Sequence, residues 1–194
     1  MPKVYSLDGV IPVVHPEAFV HPDAVLVGDV VIGPRCFIGP CASLRGDFGS
    51  IRVEEGSNVQ DTCVVHAFPG RQVLLERDSH VGHGAVLHGC TIKPNALIGM
   101  NAVVMDGAEI GEGAVVGACA FVKAGTIVPP ATLVTGIPAV VVRPVTQEEL
   151  RRKSEGTRLY QELARRCLAT LREEGPLARK EDRRPPAREL SWEK

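Results

Sequence analysis

Six histidines, His15, His21, His66, His80, His83 and His88, are the side chains here best suited to metal or proton chemistry. The last four lie in the middle third of the chain. His66, His83 and His88 form a candidate zinc set. Three neutral imidazoles would leave zinc one open position for water, whose pKa the metal lowers towards ~7. Polar residues accumulate just upstream: Arg45 and Asp47, then Asn58, Gln60 and Asp61. In an aliphatic scaffold such groups are expected to satisfy one another or a site. The bland alternative is that stacked repeats merely gather surface histidines. His15 and His21, each followed by Pro, are read that way, and His80 is left between that role and a supporting or loop role.

The element that must position these residues is a six-residue repeat. From Ile92 an aliphatic residue recurs at Ile98, Val104, Ile110, Val116, Val122, Val128 and Val134. A small residue follows four positions after each of the first seven: Ala96, Ala102, Ala108, Ala114, Ala120, Thr126 and Thr132. The same phase runs through Ile32, Ile38 and Leu44, then Val53, Val59 and Val65, then Leu75, Val81 and Leu87. Between blocks it slips: nine residues separate Leu44 from Val53, ten Val65 from Leu75, and five Leu87 from Ile92. Such insertions are expected in loops. A period of six matches neither a helix face nor an antiparallel strand. It fits a parallel β-helix of triangular coils, about 18 residues each, over residues 12–142, about seven coils in all. The aliphatic and small residues point inward because strand side chains alternate. A larger residue at the small position would overfill the prism. The glycines that often follow the aliphatic residue are expected to supply the corner angles.

The interval from His66 to His88 is 22 residues. Removing the four extra residues of the ten-residue gap leaves one coil, so the two imidazoles should be neighbours in one column, close enough to share a zinc at ~2.0–2.1 Å. His83 follows Val81 on the preceding side of the prism and should point elsewhere. It could join the pair most easily from an adjacent molecule, which suggests a homotrimer with metal sites at its interfaces.

The 194-residue chain has 22 basic and 23 acidic residues, a formal net charge of −1, so a basic nucleic-acid binder is disfavoured. No apolar run approaches the ~20 residues of a membrane span, and no signal peptide is visible, so the expected location is cytoplasmic. Cys36, Cys41, Cys63, Cys90, Cys119 and Cys167 form no CxxC pair and read as free, compact core or corner residues. Residues 143–174 form a helical segment. Thr146 to Glu149 reads as a capping box, and Leu159, Leu163, Cys167 and Leu171 recur at helical spacing. The helix is expected through about Arg172, with Gly156 the point at which it would break. Residues 175–194, with Pro176, Pro185 and Pro186, read as a mobile tail.

LRGD (44–47), NVQD (58–61), VVH (64–66) and VGHGAVLHG (81–89) resemble the γ-class carbonic anhydrase branch of the hexapeptide-repeat family. That resemblance implies an all-β, left-handed parallel β-helix of hexapeptide repeats with a C-terminal α-helix. It also implies zinc, with iron or cobalt as alternatives, held by His66, His83 and His88 across a trimer interface. Gln60 would be the glutamine that bonds the metal water. Arg45 and Asp47 would be the inter-subunit pair, and Asn58 and Asp61 supporting residues. SLRGDFG, NVQDTCVVHAFPG, HVGHGAVLHGC, ALIGMNAVVMDGA, GACAFVKAG and EGTRLYQ are similar to the PaaY- and CaiE-like group, of phenylacetate degradation and carnitine metabolism, over nearly the whole chain. Efficient members of the carbonic anhydrase branch carry acids where this chain has Phe48 and the short loop Ala67-Phe68-Pro69-Gly70. Fast carbon dioxide hydration is therefore not expected.

The group resemblance implies a thioesterase that attacks ring-derived acyl-CoA with metal-bound hydroxide. Phe48 and Phe68 would wall the ring, or else pack at an interface. Arg143, Arg151, Arg152 and Lys153 would meet CoA phosphates, or else form a solvated helix face. The alternatives are carbon dioxide hydration, a hexapeptide acyltransferase with a histidine base, and a non-catalytic accessory protein of the carnitine pathway.

Overall fold

The structure is a computed structural model that describes residues 2–179. Short parallel strands wind through a left-handed β-helix of about seven coils, closed by one helix. All seventeen inward aliphatic positions of the repeat are at most 2% exposed. The small positions Ala96, Ala102, Ala108, Ala114 and Ala120 are buried beside them. Each fully buried Val, Ile or Leu contributes about 1.5–3 kcal/mol, so this aliphatic column is the main support of the fold. Cys36, Cys63 and Cys90 fill small core positions, where burial pushes their thiols up to about 12, 11 and 12. Cys41 and Cys119 are exposed at corners with φ of 59° and 58°.

The prism has three faces. The first stacks Ser43–Val53, Val64–His66, Val86–His88, Val103–Val104 and Phe121–Val122. The second continues from the same long strand through Gln72–Leu75, Thr91–Ile92, Glu109–Ile110 and Ile127–Val128. The third runs from Phe19–Val20 through Phe37–Ile38, Asn58–Val59, His80–Val81, Leu97–Ile98 and Val115–Val116 to Thr132–Gly136. There the parallel winding stops, because Ala139–Pro144 returns antiparallel along Thr132–Gly136.

Two sequence expectations need correction. The nine-residue slip is not a loop: Ser43–Val53 is one strand that turns from the first face to the second, with a register shift opposite Gly28 and Val30. Only the ten-residue slip makes a projecting turn, with Gly70 at φ 71°. The glycines after the inward aliphatic residues do not supply left-handed corners either. Asn95 and Asn101 hold corners at φ 56°. Gly99 is required for a different reason: a Cβ there would stand 2.5 Å from the Ala118 nitrogen of the next coil.

Helix α1, Gln147–Thr170, runs unbroken through Gly156. Thr146 and Glu149 form the expected capping box, with the Glu149 amide donating to Thr146 Oγ1 at 3.2 Å and the Thr146 amide to Glu149 at 2.9 Å. The helix lies on the third face, where Ala164, Tyr160 and Leu163 pack on Phe19 and Phe37. The four basic residues near its start are engaged. Arg143 bonds Glu149, Arg151 bonds Glu148 and Glu155, and Arg152 bonds Glu148. Buried Lys153 donates to the Asp78 carbonyl at 2.6 Å and to Asn95 Oδ1 at 2.7 Å. Residues 175–179 are exposed and carry no helix or strand; the rest of the expected tail, 180–194, lies outside the described residues. Among the described residues no helix is long and apolar enough to cross a membrane.

Burial pulls the Lys153 ammonium down to about 7, against the upward pull of Asp78. Because the unfolded lysine titrates near ~10.4, the unfolded chain binds more protons between these values. Lys153 therefore adds stability as pH increases above about 7, until the buried thiols of Cys36, Cys63 and Cys90 take stability away above the ~8.5 at which an unfolded cysteine ionises. Denaturation between about pH 7 and about pH 8 should show this rise in the parent chain, and Lys153→Met should remove it.

Candidate metal centre

Strand register places His66 directly opposite His88, and Arg45 opposite His66, in one column of the first face. His66 Nδ1 and His88 Nε2 face each other at 3.1 Å. Each ring is held from behind by a carboxylate. Asp47 Oδ1 lies 2.9 Å from His66 Nε2, and Asp106 Oδ1 lies 2.8 Å from His88 Nδ1. Arg45 pairs with Asp47 in the same chain. Burial pushes the Asp47 carboxyl up, but the Arg45 and His66 hydrogen bonds outweigh it and hold it below the ordinary range. His83 sits past the third-face strand His80–Val81, as expected, and does not join the pair within one chain. It too is backed by a carboxylate, with Asp61 Oδ2 at 2.7 Å from its Nδ1.

This arrangement has a direct consequence for charge. In neutral His66 and His88 the carboxylates take the outer N–H groups, so the two inner nitrogens both present lone pairs. Two lone pairs at 3.1 Å repel unless a cation lies between them. Two nitrogens bound tetrahedrally to one zinc at ~2.0–2.1 Å would stand ~3.3–3.4 Å apart. The donor set, spacing and carboxylate backing therefore fit a divalent ion. Among the described residues of one chain, no three such ligands converge.

The supporting residues divide. Asp47 and Asp61 back ligand candidates. Asn58 and Gln60 do not reach the His66–His88 pair: they are buried on the third face, where Gln60 Nε2 lies 2.9 Å from Asn58 Oδ1 and 2.7 Å from His80 Nε2. His80 is a strand residue there, in an interior position that pushes its imidazole down to about 3, chiefly by burial and then by the Lys153 charge. His15 and His21 accept local backbone N–H bonds from Glu17 and Asp23, in keeping with the bland reading. Exposed Phe48 and Phe68 flank the His66–His88 pair, with ring centroids 5.6 Å from His66 and 4.7 Å from His88.

Asp106 was missed by sequence reasoning. Its signal was its place one residue past Met105, which the 17-residue coil here sets level with His88. The contact also explains Gly89: φ is 54°, and a Cβ would lie 2.3 Å from Asp106 Oδ1. Asp106→Asn should lower metal affinity 10- to 100-fold while leaving the fold intact, as metal titration would show.

A groove of about 570 Å³ opens between α1 and the third face beside His83. Leu97, Met100, Leu159 and Tyr160 line it, with Gln60 and His80 on its inner wall.

The chain matches the model for the bacterial transferase hexapeptide (six repeats) over residues 11–46 and 89–124. The carnitine operon protein CaiE of Citrobacter koseri is 52% identical over 181 residues, which cover 93% of this chain and 92% of that one. Among solved structures, a Bacillus cereus protein described as a candidate acetyltransferase is 36% identical with a TM-score of 0.85, covering 87% of this chain and 98% of its own. A hexapeptide transferase family protein of Anaplasma phagocytophilum is also 36% identical, with a TM-score of 0.81 over 84% of this chain and 96% of that one. On these likenesses, carried by the repeat and by nearly the full length of the chain, it belongs to the bacterial hexapeptide-repeat family as a relative of the CaiE proteins.

Proposed function

We propose that this chain is a metal-dependent enzyme of acyl-CoA chemistry, hydrolysing the thioester, and that its site is completed between protomers of a homotrimer. The observation that carries this reading is the carboxylate behind each of His66, His83 and His88. His66 and His88 of one protomer and His83 of another would hold zinc, or iron or cobalt in its place. When bound, such an ion supplies Lewis acidity and brings a coordinated water towards a pKa of ~7.

The chain's own residues supply the remainder. Asp47, Asp61 and Asp106 fix the ring tautomers and leave one lone pair on each histidine. Phe48 and Phe68 give an apolar border beside the pair, suited to an aromatic acyl group of the phenylacetate type. The groove beside His83 offers room for the acyl portion away from water. Phe48 and the short turn 67–70 bring no carboxylate to export protons, which supports slow rather than fast carbon dioxide hydration.

Acyl transfer is the second reading, and the comparisons back it more directly than hydrolysis. The matching model is a transferase model, and one relative in structure is described as a candidate acetyltransferase. A carboxylate-backed histidine is also the arrangement of a general base. The facing lone pairs of His66 and His88 favour the metal site, since a single base has no need of the second ring. A non-catalytic CaiE-like accessory role would leave these pairs without chemical work.

Metal-loaded protein should be assayed on several aryl-acyl-CoA thioesters and on carbon dioxide, with and without chelator and with amine or alcohol acceptors. Chelator-sensitive release of free CoA in water is expected, with weak hydration. Turnover that requires an acceptor and ignores chelator would establish the transferase instead.

A further inference from the structure

We infer that His80 is a positioning residue for Gln60: it holds the Gln60 amide so that only the carbonyl oxygen meets the groove, and it ties that orientation to helix α1 through Thr157. The inference rests on the proposed function for its catalytic consequence, but not for its geometry. Gln60 is 3% exposed and lines the groove. Its Nε2 stands 2.9 Å from Asn58 Oδ1 and 2.7 Å from His80 Nε2.

The direction of these bonds follows from the shortest of them: the Gln60 amide nitrogen is a donor, so at 2.7 Å His80 Nε2 must accept and the ring proton falls on Nδ1. Thr157 Oγ1 donates to the Lys153 carbonyl at 3.2 Å, so its lone pairs remain to accept. It lies 3.4 Å from His80 Nδ1 and can take that N–H; the Asn58 amide, 3.2 Å from the same nitrogen, makes the competing contact. With the proton on Nδ1, His80 Nε2 is an acceptor for one Gln60 N–H. Asn58 Oδ1 takes the other. Both amide hydrogens are then committed, and Gln60 Oε1 has no protein partner among the described residues.

An acceptor without a protein partner, open to the ligand-sized groove beside His83, suits a proton-bearing group of the reaction, either water O–H or an amide N–H of the substrate. Without the His80 acceptor the Gln60 amide can turn over and present N–H groups instead. His80 itself need not touch substrate, since its Nε2 is spent on Gln60 and its ring packs at right angles to Tyr160 at a centroid distance of 5.4 Å.

The test uses the full chain. Nitrogen-15 spectra of histidine-labelled protein at pH 7 should show His80 neutral with its proton on Nδ1. A proton on Nε2, or on both nitrogens, overturns the inference whatever the activity. In metal-loaded protein, His80→Phe should lower kcat about tenfold or more at unchanged KM and metal content, and His80→Gln, whose side-chain oxygen can accept from Gln60, should recover most of that loss. Equal losses in the two variants overturn it. If the parent chain shows no chelator-sensitive turnover, the functional reading fails, and the His80 tautomer alone decides the inference.

Discussion

Replacing His88 with alanine should strip the protein of its metal and lower thioester turnover by about 10³-fold or more, with the β-helix intact. The size of the effect follows from the geometry. His88 supplies one of two nitrogens 3.1 Å apart, and its loss leaves His66 alone on that protomer. Asp106 then backs nothing, and Phe68 loses the ring it packs against. The fold should survive because His88 is only partly buried and its strand is held by parallel neighbours on both sides. Metal analysis, sedimentation and kinetics on one preparation would check all three points. Retention of metal and turnover by the His88→Ala protein would refute the site. His15→Ala, which removes a histidine with only a local backbone bond, is the matched control and should change nothing.

The residue next to it tests the scaffold. Leu87→Ala should destabilise the protein by about 2–5 kcal/mol, measured by denaturant unfolding. Leu87 is fully buried and lies between Val65 and Val104 in the aliphatic column. A coil interior has few ways to collapse around the cavity, because each corner is tied to the coils above and below. Ile127→Ala, at a 75% exposed position of the same repeat, should stay within about 0.5 kcal/mol. A loss below about 1 kcal/mol for Leu87→Ala would mean that the column does not carry the stability assigned to it.

The inward register was legible because a side chain every six residues must either fill the prism or break it. The period alone therefore places Val81 and Leu87, and the His66–His88 pairing follows by subtraction. Side chains just beyond the strands were not fixed in this way. Gln60 was expected to serve the metal water, but its amide direction depends on His80 and on a helix arriving from about 100 residues later in the chain. Asp106 was overlooked because the coil after His88 is one residue short: Met105 is level with His88, and the acid reaches back diagonally. The helix expected from its capping box and apolar spacing is not interrupted at Gly156. A mid-helix glycine costs only ~1 kcal/mol, and the helix is anchored on either side of it by Lys153, Thr157 and Tyr160.

The reversal at Gly136 bears on assembly of a different kind. A parallel ladder that simply stopped would leave a row of unpaired amides and carbonyls on its last rung, a template on which a further rung from another molecule could grow. Ala139–Pro144 occupies that rung from the same chain, and it ends in Arg143 and Pro144, neither of which favours continued pairing. Deleting the returning strand should therefore promote end-to-end polymerisation into fibres, even though no inward residue of the prism would have changed.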